Sequence, residues 1–240
     1  MASPRNPTAA QRKDRIYLVE DHPVTREGFA QLINFQRDLE ICGQAGIVAR
    51  ALTEIAVLNP DLVIVDISLA GTSGIELIKD LVSRDPILKV LVLSMHDESL
   101  YAERALRAGA RGYVMKQEPT EHVMAAIRHV LGGGVYLSVR MRDHLLFNVV
   151  GRLSAARASD LDRLSDRELE VFQLIGEGRT TAQIGASLHL SVSTVETYRT
   201  RIKERLNLRD AGELLQAAIR WNVGKGNCCP LPAAEAGRQS

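Results

Sequence analysis

Five short apolar segments in the first half of the chain constrain its fold more than any other feature. They read RIYLVE, LEICGQ, LVIV, KVLVL and RGYVM, and stretches with helical periodicity separate them. Short apolar runs that alternate with amphipathic helices are typical of buried parallel strands. The pattern predicts a doubly wound α/β domain with a five-stranded parallel sheet. The expected strands are 15–20, 39–44, 62–65, 89–93 and 111–115. The helical patterns between and after them are expected to begin near residues 24, 48, 74, 100 and 120.

Polar side chains follow four of these strands. Glu20 and Asp21 close the first, Asp66 follows the third, Ser94 the fourth and Lys116 the fifth. Ligands of such sheets bind where the strands end. Clustered carboxylates repel one another unless a hard cation such as Mg²⁺ holds them, and a lysine complements a phosphoryl group on one of them. The arrangement predicts a site that accepts a phosphoryl group, with Asp66 as the nucleophile.

The second half of the chain predicts a small all-α domain of four helices. Ser165 and Glu168 form a capping box before the first helix, and either Thr180 or Thr181 can cap the second. The third helix begins near Ser191 or Ser193, and Asp210 caps the fourth. The tight turn between the second and third helices predicts a helix-turn-helix.

The third helix of this domain has the charge expected of a surface that binds nucleic acid. Although the whole chain has a formal net charge of only +1, segment 191–209 has five cations against two anions. Val195, Ile202 and Leu206 share one face, which is expected to be buried. The opposite face contains Glu196, Thr197 and Thr200.

The ordered motifs resemble one family. VEDHPVTREGF, PDLVIVDISLAGTSGIEL, VLVLSMHDE and ALRAGARGYVMKQEP precede LSDRELEVFQLIGEGRTTAQIGASLHLSVSTVETYRTRIKERL. Together they resemble a two-component response regulator of the NarL/FixJ type, in which a flavodoxin-like receiver is joined to a LuxR-type helix-turn-helix. The similarity spans about residues 15–222.

The resemblance and the composition together divide the chain into five parts. We expect a disordered tail over 1–14, a receiver over 15–134 and a partly helical linker over 135–160. The DNA-binding domain is expected over 161–224, followed by a disordered tail over 225–240.

For the receiver, the resemblance implies a set of roles. Asp66 would accept a phosphoryl group from a sensor histidine kinase. Mg²⁺ would be held by Glu20, Asp21, Asp66 and the backbone carbonyl of Ser68, and the residues that contact the phosphoryl group or switch would be Ser94, Tyr113 and Lys116. Tyr113 would turn inward when Ser94 moves. Glu20 replaces an aspartate that is common in the family, and Ala70 replaces a common proline, which would loosen the loop after Asp66.

For the DNA-binding domain, the resemblance implies a homodimer on double-stranded DNA. Base edges would be read by Glu196, Thr197 and Thr200, and phosphates would be contacted by Thr194, Tyr198, Arg199, Arg201 and Lys203. Many relatives have lysine where this chain has Glu196 and Thr200, so the recognised half-site cannot be copied from them. The fourth helix resembles the family's dimer contact.

Two other functions compete with a phosphorylation-gated regulator. A phosphatase of the haloacid-dehalogenase type would need an acid two residues after Asp66, where this chain has Ser68. The chain is therefore expected to catalyse nothing beyond its own phosphorylation and dephosphorylation. A regulator that acts through protein contacts without phosphorylation stays open. The absence of a long apolar segment and of a signal peptide predicts a cytoplasmic protein, and Cys42, Cys228 and Cys229 are expected to be reduced.

Overall fold

The structure is a computed structural model that describes residues 12–143 and 160–224. The chain divides into two compact units, Met1–Arg157 and Ala158–Ser240. Residues 144–159 of the expected linker, residues 225–240 and most of the expected N-terminal tail lie outside the described residues.

The first unit is built on the predicted five-stranded sheet. Within its described residues the unit has seven strands in chain order: β1 (Asp14–Val19), β2 (Leu39–Ala45), β3 (Leu62–Val65), β4 (Ser68–Leu69), β5 (Thr72–Ser73), β6 (Lys89–Ser94) and β7 (Gly112–Met115). The short strands β4 and β5 form a separate two-strand hairpin, and the other five form the main sheet. The main sheet has the order β2-β1-β3-β6-β7, and all neighbours are parallel. This order confirms the doubly wound fold, and it places the topological switch point between β1 and β3.

Five helices cover the sheet. They are α1 (Pro23–Asn34), α2 (Val48–Leu58), α3 (Gly74–Arg84), α4 (Glu98–Arg107) and α5 (Thr120–Leu131), and each begins within two residues of its predicted start. Leu18, Ile64, Leu91 and Val114 of the strands pack with Ile127 of α5 in one fully buried cluster. Both faces of a parallel sheet are normally covered, which is why its strands are apolar throughout.

The β4–β5 hairpin was not predicted from the sequence. Ser68 pairs with Ser73, and Leu69 pairs with Thr72. Gly71 makes the turn with a backbone φ of 81°, a value that residues with a Cβ rarely adopt. Ala70, which precedes it, therefore lies in an ordered turn, although the sequence suggested a loosened loop.

The second unit contains the four predicted helices. They are α6 (Asp166–Gly176), α7 (Thr181–Leu188), α8 (Val192–Leu206) and α9 (Ala211–Gly224). Ser165 and Glu168 form the predicted capping box. Thr180 caps α7 and Ser191 caps α8, which decides between the candidates in the sequence. The Asp210 carboxylate accepts the backbone N–H of Glu213 at 2.9 Å and so caps α9.

The turn between α7 and α8 requires a close backbone approach. Leu190 donates its N–H to the carbonyl of Gly185 at 2.8 Å, and a Cβ on Gly185 would lie 2.8 Å from the Leu190 carbonyl oxygen. Glycine at position 185 therefore allows the tight helix-turn-helix geometry. None of the helices within the described ranges is long and apolar enough to cross a lipid bilayer.

Candidate functional site

An acidic pocket lies at the switch point of the sheet. Glu20 follows β1 and is 2% exposed, while Asp66 follows β3 and is 4% exposed. Lys116, just after β7, donates to the Glu20 carboxylate and to Oδ2 of Asp66, the latter at 2.8 Å. The lysine side chain is itself 6% exposed. The structure therefore brings together three residues that the sequence places at separate strand ends.

Burial and charge oppose each other in this pocket. Burial raises the pKa of the Glu20 carboxyl, and the nearby Asp66 charge raises it further, while Lys116 acts in the opposite direction. For Lys116, burial lowers the pKa, but the two carboxylates outweigh this effect and the net shift is upward. The lysine therefore remains a cation and stabilises two buried acids.

The pocket has the oxygen donors that a hard cation needs. Ligand atoms of Glu20, Asp21, His22 and Asp66 all lie within 4.8 Å of one another. Oδ1 of Asp66 is buried and has no hydrogen-bond partner among the described residues. A buried carboxylate oxygen without a partner is costly, and a divalent cation or an incoming phosphoryl group would compensate for it. The residues present therefore fit Mg²⁺, which prefers oxygen ligands.

Two neighbours of the acidic pocket were not predicted to support it. Arg26 of α1 donates from Nη1 to the backbone carbonyl of Glu20 at 2.7 Å. His22 donates its backbone N–H to Oε1 of Glu20 at 3.1 Å, and its Nδ1 lies 2.8 Å from Oδ1 of Asp21. Arg26 lies six residues after Glu20 in the next element, and no spacing rule relates the two residues.

The predicted switch residues surround the loop that follows β6. Ser94 is fully buried, and its Oγ accepts the backbone N–H of His96 at 3.3 Å. Tyr113 is 1% exposed and donates its hydroxyl to the His96 carbonyl at 2.9 Å, so it already points inward. Burial raises the pKa of Tyr113, which keeps the phenol protonated as a donor.

His96 also links this loop to the hairpin after Asp66. Its Nε2 lies 2.6 Å from Oγ of Ser68, and its ring contacts Tyr101 with a centroid distance of 4.8 Å. A side-chain hydrogen bond therefore joins the two loops that flank the pocket. The sequence gave no indication that Ser68 and His96 touch.

In the second unit, α8 presents a polar face to solvent. Val195 and Ile202 are fully buried, while Leu206 is half-buried. The predicted base-reading residues Glu196, Thr197 and Thr200 are exposed and line one shallow surface groove together with Ser193, Arg201 and Glu204. The predicted phosphate-contacting residues Thr194, Tyr198, Arg199 and Lys203 are half-buried, and Arg201 is exposed.

Glu196 is held in place by contacts within its own unit. Thr181, the first residue of α7, donates to Oε1 of Glu196 at 2.9 Å. Arg199 Nε lies 3.7 Å from the other carboxylate oxygen. The carboxylate of Glu196 therefore has two partners within its own unit, while its side chain remains 57% exposed.

The cations of α8 fall into two groups. Arg205 pairs with the buried carboxylate of Glu168 at 2.8 Å and donates to the carbonyl of Arg163. Arg201 and Lys203 form no ion pair with any residue that the structure describes. Their charges are therefore available to a ligand, whereas Arg205 has a structural partner.

The apolar residues of α9 divide between two faces. Leu214 and Ala218 are fully buried, whereas Leu215 and Ile219 are each 41% exposed. Val223 continues the exposed row one turn later.

Comparisons with known proteins match each of the two units to a known family of domains. Residues 16–128 match the response regulator receiver domain, and residues 162–218 match the bacterial regulatory proteins of the luxR family. The oxygen regulatory protein NreC of Staphylococcus carnosus (strain TM300) is 35% identical over 210 residues, which are 86% of this chain and 97% of that protein. NreC of Staphylococcus aureus (strain JH9) is 33% identical over the same shares.

Solved structures of response regulators are also similar to this chain. A two-component response regulator of the LuxR family from Aurantimonas sp. SI85-9A1 is 31% identical, with a TM-score of 0.54 over 57% of this chain and 99% of that one. RcsB of Salmonella enterica serovar Typhimurium, bound to promoter rprA, shares the fold at 21% identity and a TM-score of 0.56, over 87% of this chain and 99% of that one. The chain therefore belongs to the two-component response regulators that join a receiver to a LuxR-type DNA-binding domain.

Proposed function

We propose that Asp66 accepts a phosphoryl group from a sensor histidine kinase and that phosphorylation controls how α8 binds double-stranded DNA. The buried Asp66 carboxylate, paired through one oxygen with Lys116 and unpartnered at the other, is the observation that carries this proposal. A carboxylate in this position can act as a nucleophile toward phosphorus.

The transfer exchanges one bond to phosphorus for another. An oxygen of Asp66 forms the new P–O bond, and the P–N bond of a phosphohistidine breaks, with the electron pair leaving on nitrogen. Lys116 already contacts Asp66 and is placed to pair with the added oxygens. Glu20, Asp21, Asp66 and the backbone carbonyl of Ser68 would hold Mg²⁺, which would neutralise charge on the acids and on the phosphoryl oxygens.

Ser94 and Tyr113 would report phosphorylation to the rest of the receiver. Val65 of β3 pairs with Val92 of β6, so Asp66 and Ser94 leave the same edge of the sheet on adjacent strands. A phosphoryl group on Asp66 would draw the Ser94 hydroxyl toward it. Because Ser94 and Tyr113 both bond to His96, that movement would change the loop before α4.

On DNA, α8 would enter the major groove. Glu196, Thr197 and Thr200 would read base edges, and Arg201 and Lys203 would contact phosphates with Thr194, Tyr198 and Arg199. The exposed row of Leu215, Ile219 and Val223 on α9 would join two copies of the chain on the DNA. Beyond its own phosphorylation and dephosphorylation, the chain would catalyse no reaction.

Intact mass tests the acceptor. Incubation with acetyl phosphate and Mg²⁺ should add one phosphoryl group to the wild type and none to Asp66→Asn, because the amide cannot attack phosphorus. The double variant Glu20→Gln with Asp21→Asn should gain no phosphoryl mass, whether Mg²⁺ is present or absent. A phosphoryl group on another residue of Asp66→Asn would disprove the assignment of the acceptor. A wild-type chain that gains no phosphoryl mass but still regulates transcription would favour a phosphorylation-independent regulator.

A further inference from the structure

The chain after α5 returns along the edge of the sheet. Tyr136 pairs with Gly112 of β7 in a parallel bridge. Tyr113 donates its N–H to the Tyr136 carbonyl at 3.0 Å, and Tyr136 donates its N–H to the carbonyl of Arg111 at 2.9 Å. These contacts cover the open edge of β7. We call residues 135–141 the strap.

Glycines at two positions make this path possible. A Cβ on Gly112 would lie 2.9 Å from the Tyr136 carbonyl oxygen and 3.2 Å from the Tyr136 Cβ. A Cβ on Gly134 would lie 2.3 Å from the His129 ring, which itself contacts the Tyr136 ring with a centroid distance of 6.1 Å. The strap therefore fits closely against β7 and α5.

The far end of the strap is anchored to α4. Ser138 donates its hydroxyl to the carboxylate of Glu98, the first residue of α4. The same Ser138 Oγ accepts the backbone N–H of Met141 at 3.0 Å, and so caps the helical turn that follows. Leu137 is 8% exposed and Met141 is 1% exposed, so apolar burial supports both hydrogen bonds.

The strap thus contacts the two elements next to the switch residues. Its backbone bonds to Tyr113, whose hydroxyl holds the His96 carbonyl. Its Ser138 side chain bonds to Glu98, two residues after His96. A displacement of the 94–98 loop relative to β7 would move one anchor of the strap away from the other.

We propose that the strap is the element through which the receiver passes its state to the rest of the chain. Phosphorylation would break the Ser138–Glu98 bond and change the start of the helix at residue 139. This inference rests on the proposed phosphorylation of Asp66. It assigns a signalling role to a segment that the sequence marked only as part of a linker.

Hydrogen exchange on the full-length chain tests the strap. With acetyl phosphate and Mg²⁺, amide exchange over residues 136–142 should rise about two- to tenfold, the factor expected from one lost hydrogen bond. Ser138→Ala and Glu98→Ala should each raise this exchange without phosphorylation, and each should bring the DNA affinities of the two states closer together. The matched control Ser83→Ala, at an exposed position of α3, should change neither quantity.

A third variant and two possible results of the exchange experiment separate the role of the strap from the proposed function. Gly112→Ala should also release the strap; if it does not fold, Ser138→Ala and Glu98→Ala decide. Unchanged exchange over 136–142 in a sample whose mass shows full phosphorylation would overturn the role of the strap and leave the proposed function standing. A sample that gains no phosphoryl mass would overturn both proposals.

Discussion

At the scale of single residues, hydrogen bonds within α8 determine what two of its threonines can offer DNA. Thr197 donates its hydroxyl to the carbonyl of Ser193 at 3.0 Å, and Thr200 donates to the carbonyl of Glu196 at 3.1 Å. Each hydroxyl proton is therefore used by the helix backbone. The methyl group and an oxygen lone pair remain for a ligand, so a thymine methyl is the best match for either side chain.

A pair of substitutions separates the methyl group of Thr197 from its hydroxyl. Thr197→Ser removes the methyl group and should cost about 0.8 kcal/mol at the base pair that it reads, the value of one buried carbon. Thr197→Val keeps a methyl group and should retain the preference. Competition binding on single-base variants of the selected DNA measures both. If Thr197→Val loses the preference and Thr197→Ser keeps it, the hydroxyl is the reading group.

Arg201 should contribute affinity without sequence information, because its charge has no ion-pair partner among the described residues. Arg201→Gln should weaken binding to specific and unrelated DNA alike and reduce the slope of log K against log salt by about one. Arg84→Gln removes the same charge from an exposed position of α3 and should leave the slope unchanged. Titrations at several salt concentrations test this, and a shift in base preference by Arg201→Gln would contradict it.

At the scale of elements, the start of α3 is fixed by one glycine. Gly74 donates its N–H to the Ile67 carbonyl at 2.6 Å, and a Cβ there would lie 2.0 Å from the Asp66 carbonyl oxygen. Gly74→Ala should therefore displace the Asp66 backbone and lower the free energy of unfolding by about 2–3 kcal/mol. At Gly28, an exposed position of α1, nothing beyond the neighbouring residues and the backbone of the helix itself lies within 4 Å of the Cβ position.

Gly28→Ala is the matched control, and it should raise stability by about 0.5–1 kcal/mol, because alanine is the better helix former. Urea unfolding, followed through exchange of the β1 and β3 amides, compares the two variants. An equally stable Gly74→Ala that phosphorylates at the wild-type rate would show that the hairpin adjusts freely.

How far the sequence predicted these elements depends on how local their determinants are. The strands, the helix starts and the Ser165–Glu168 capping box follow from neighbouring residues, and the structure confirms them. The β4–β5 hairpin is local, but its strands of two residues each are too short to show a periodic pattern in the sequence. The path of the strap depends instead on an approach between distant backbones, that of Gly112 and Tyr136. The Lys116–Glu20 contact spans 96 positions, and only strand order brings the two together. Contacts between residues so far apart in the chain leave no pattern in the neighbouring sequence.

At the scale of the whole molecule, the exposed apolar row of α9 is the surface that we propose joins two copies of the chain. Leu215→Glu places a charge in its exposed apolar row and should reduce the complex on selected DNA from two copies per duplex to one, because a buried charge without a partner is costly. Leu32→Glu is the matched control, since Leu32 of α1 is 40% exposed. Native mass spectrometry counts the copies. Two bound copies of Leu215→Glu would place the dimer contact elsewhere.

The position of Lys116 also determines when the proposed site is complete during synthesis. The proposed acceptor site needs β1, β3 and the residue after β7, and its last component is synthesised before residue 158, where the second unit begins. Domains generally fold as units, N-terminal first, during synthesis. A chain still attached to the ribosome could therefore take up a phosphoryl group before it has any DNA-binding helix.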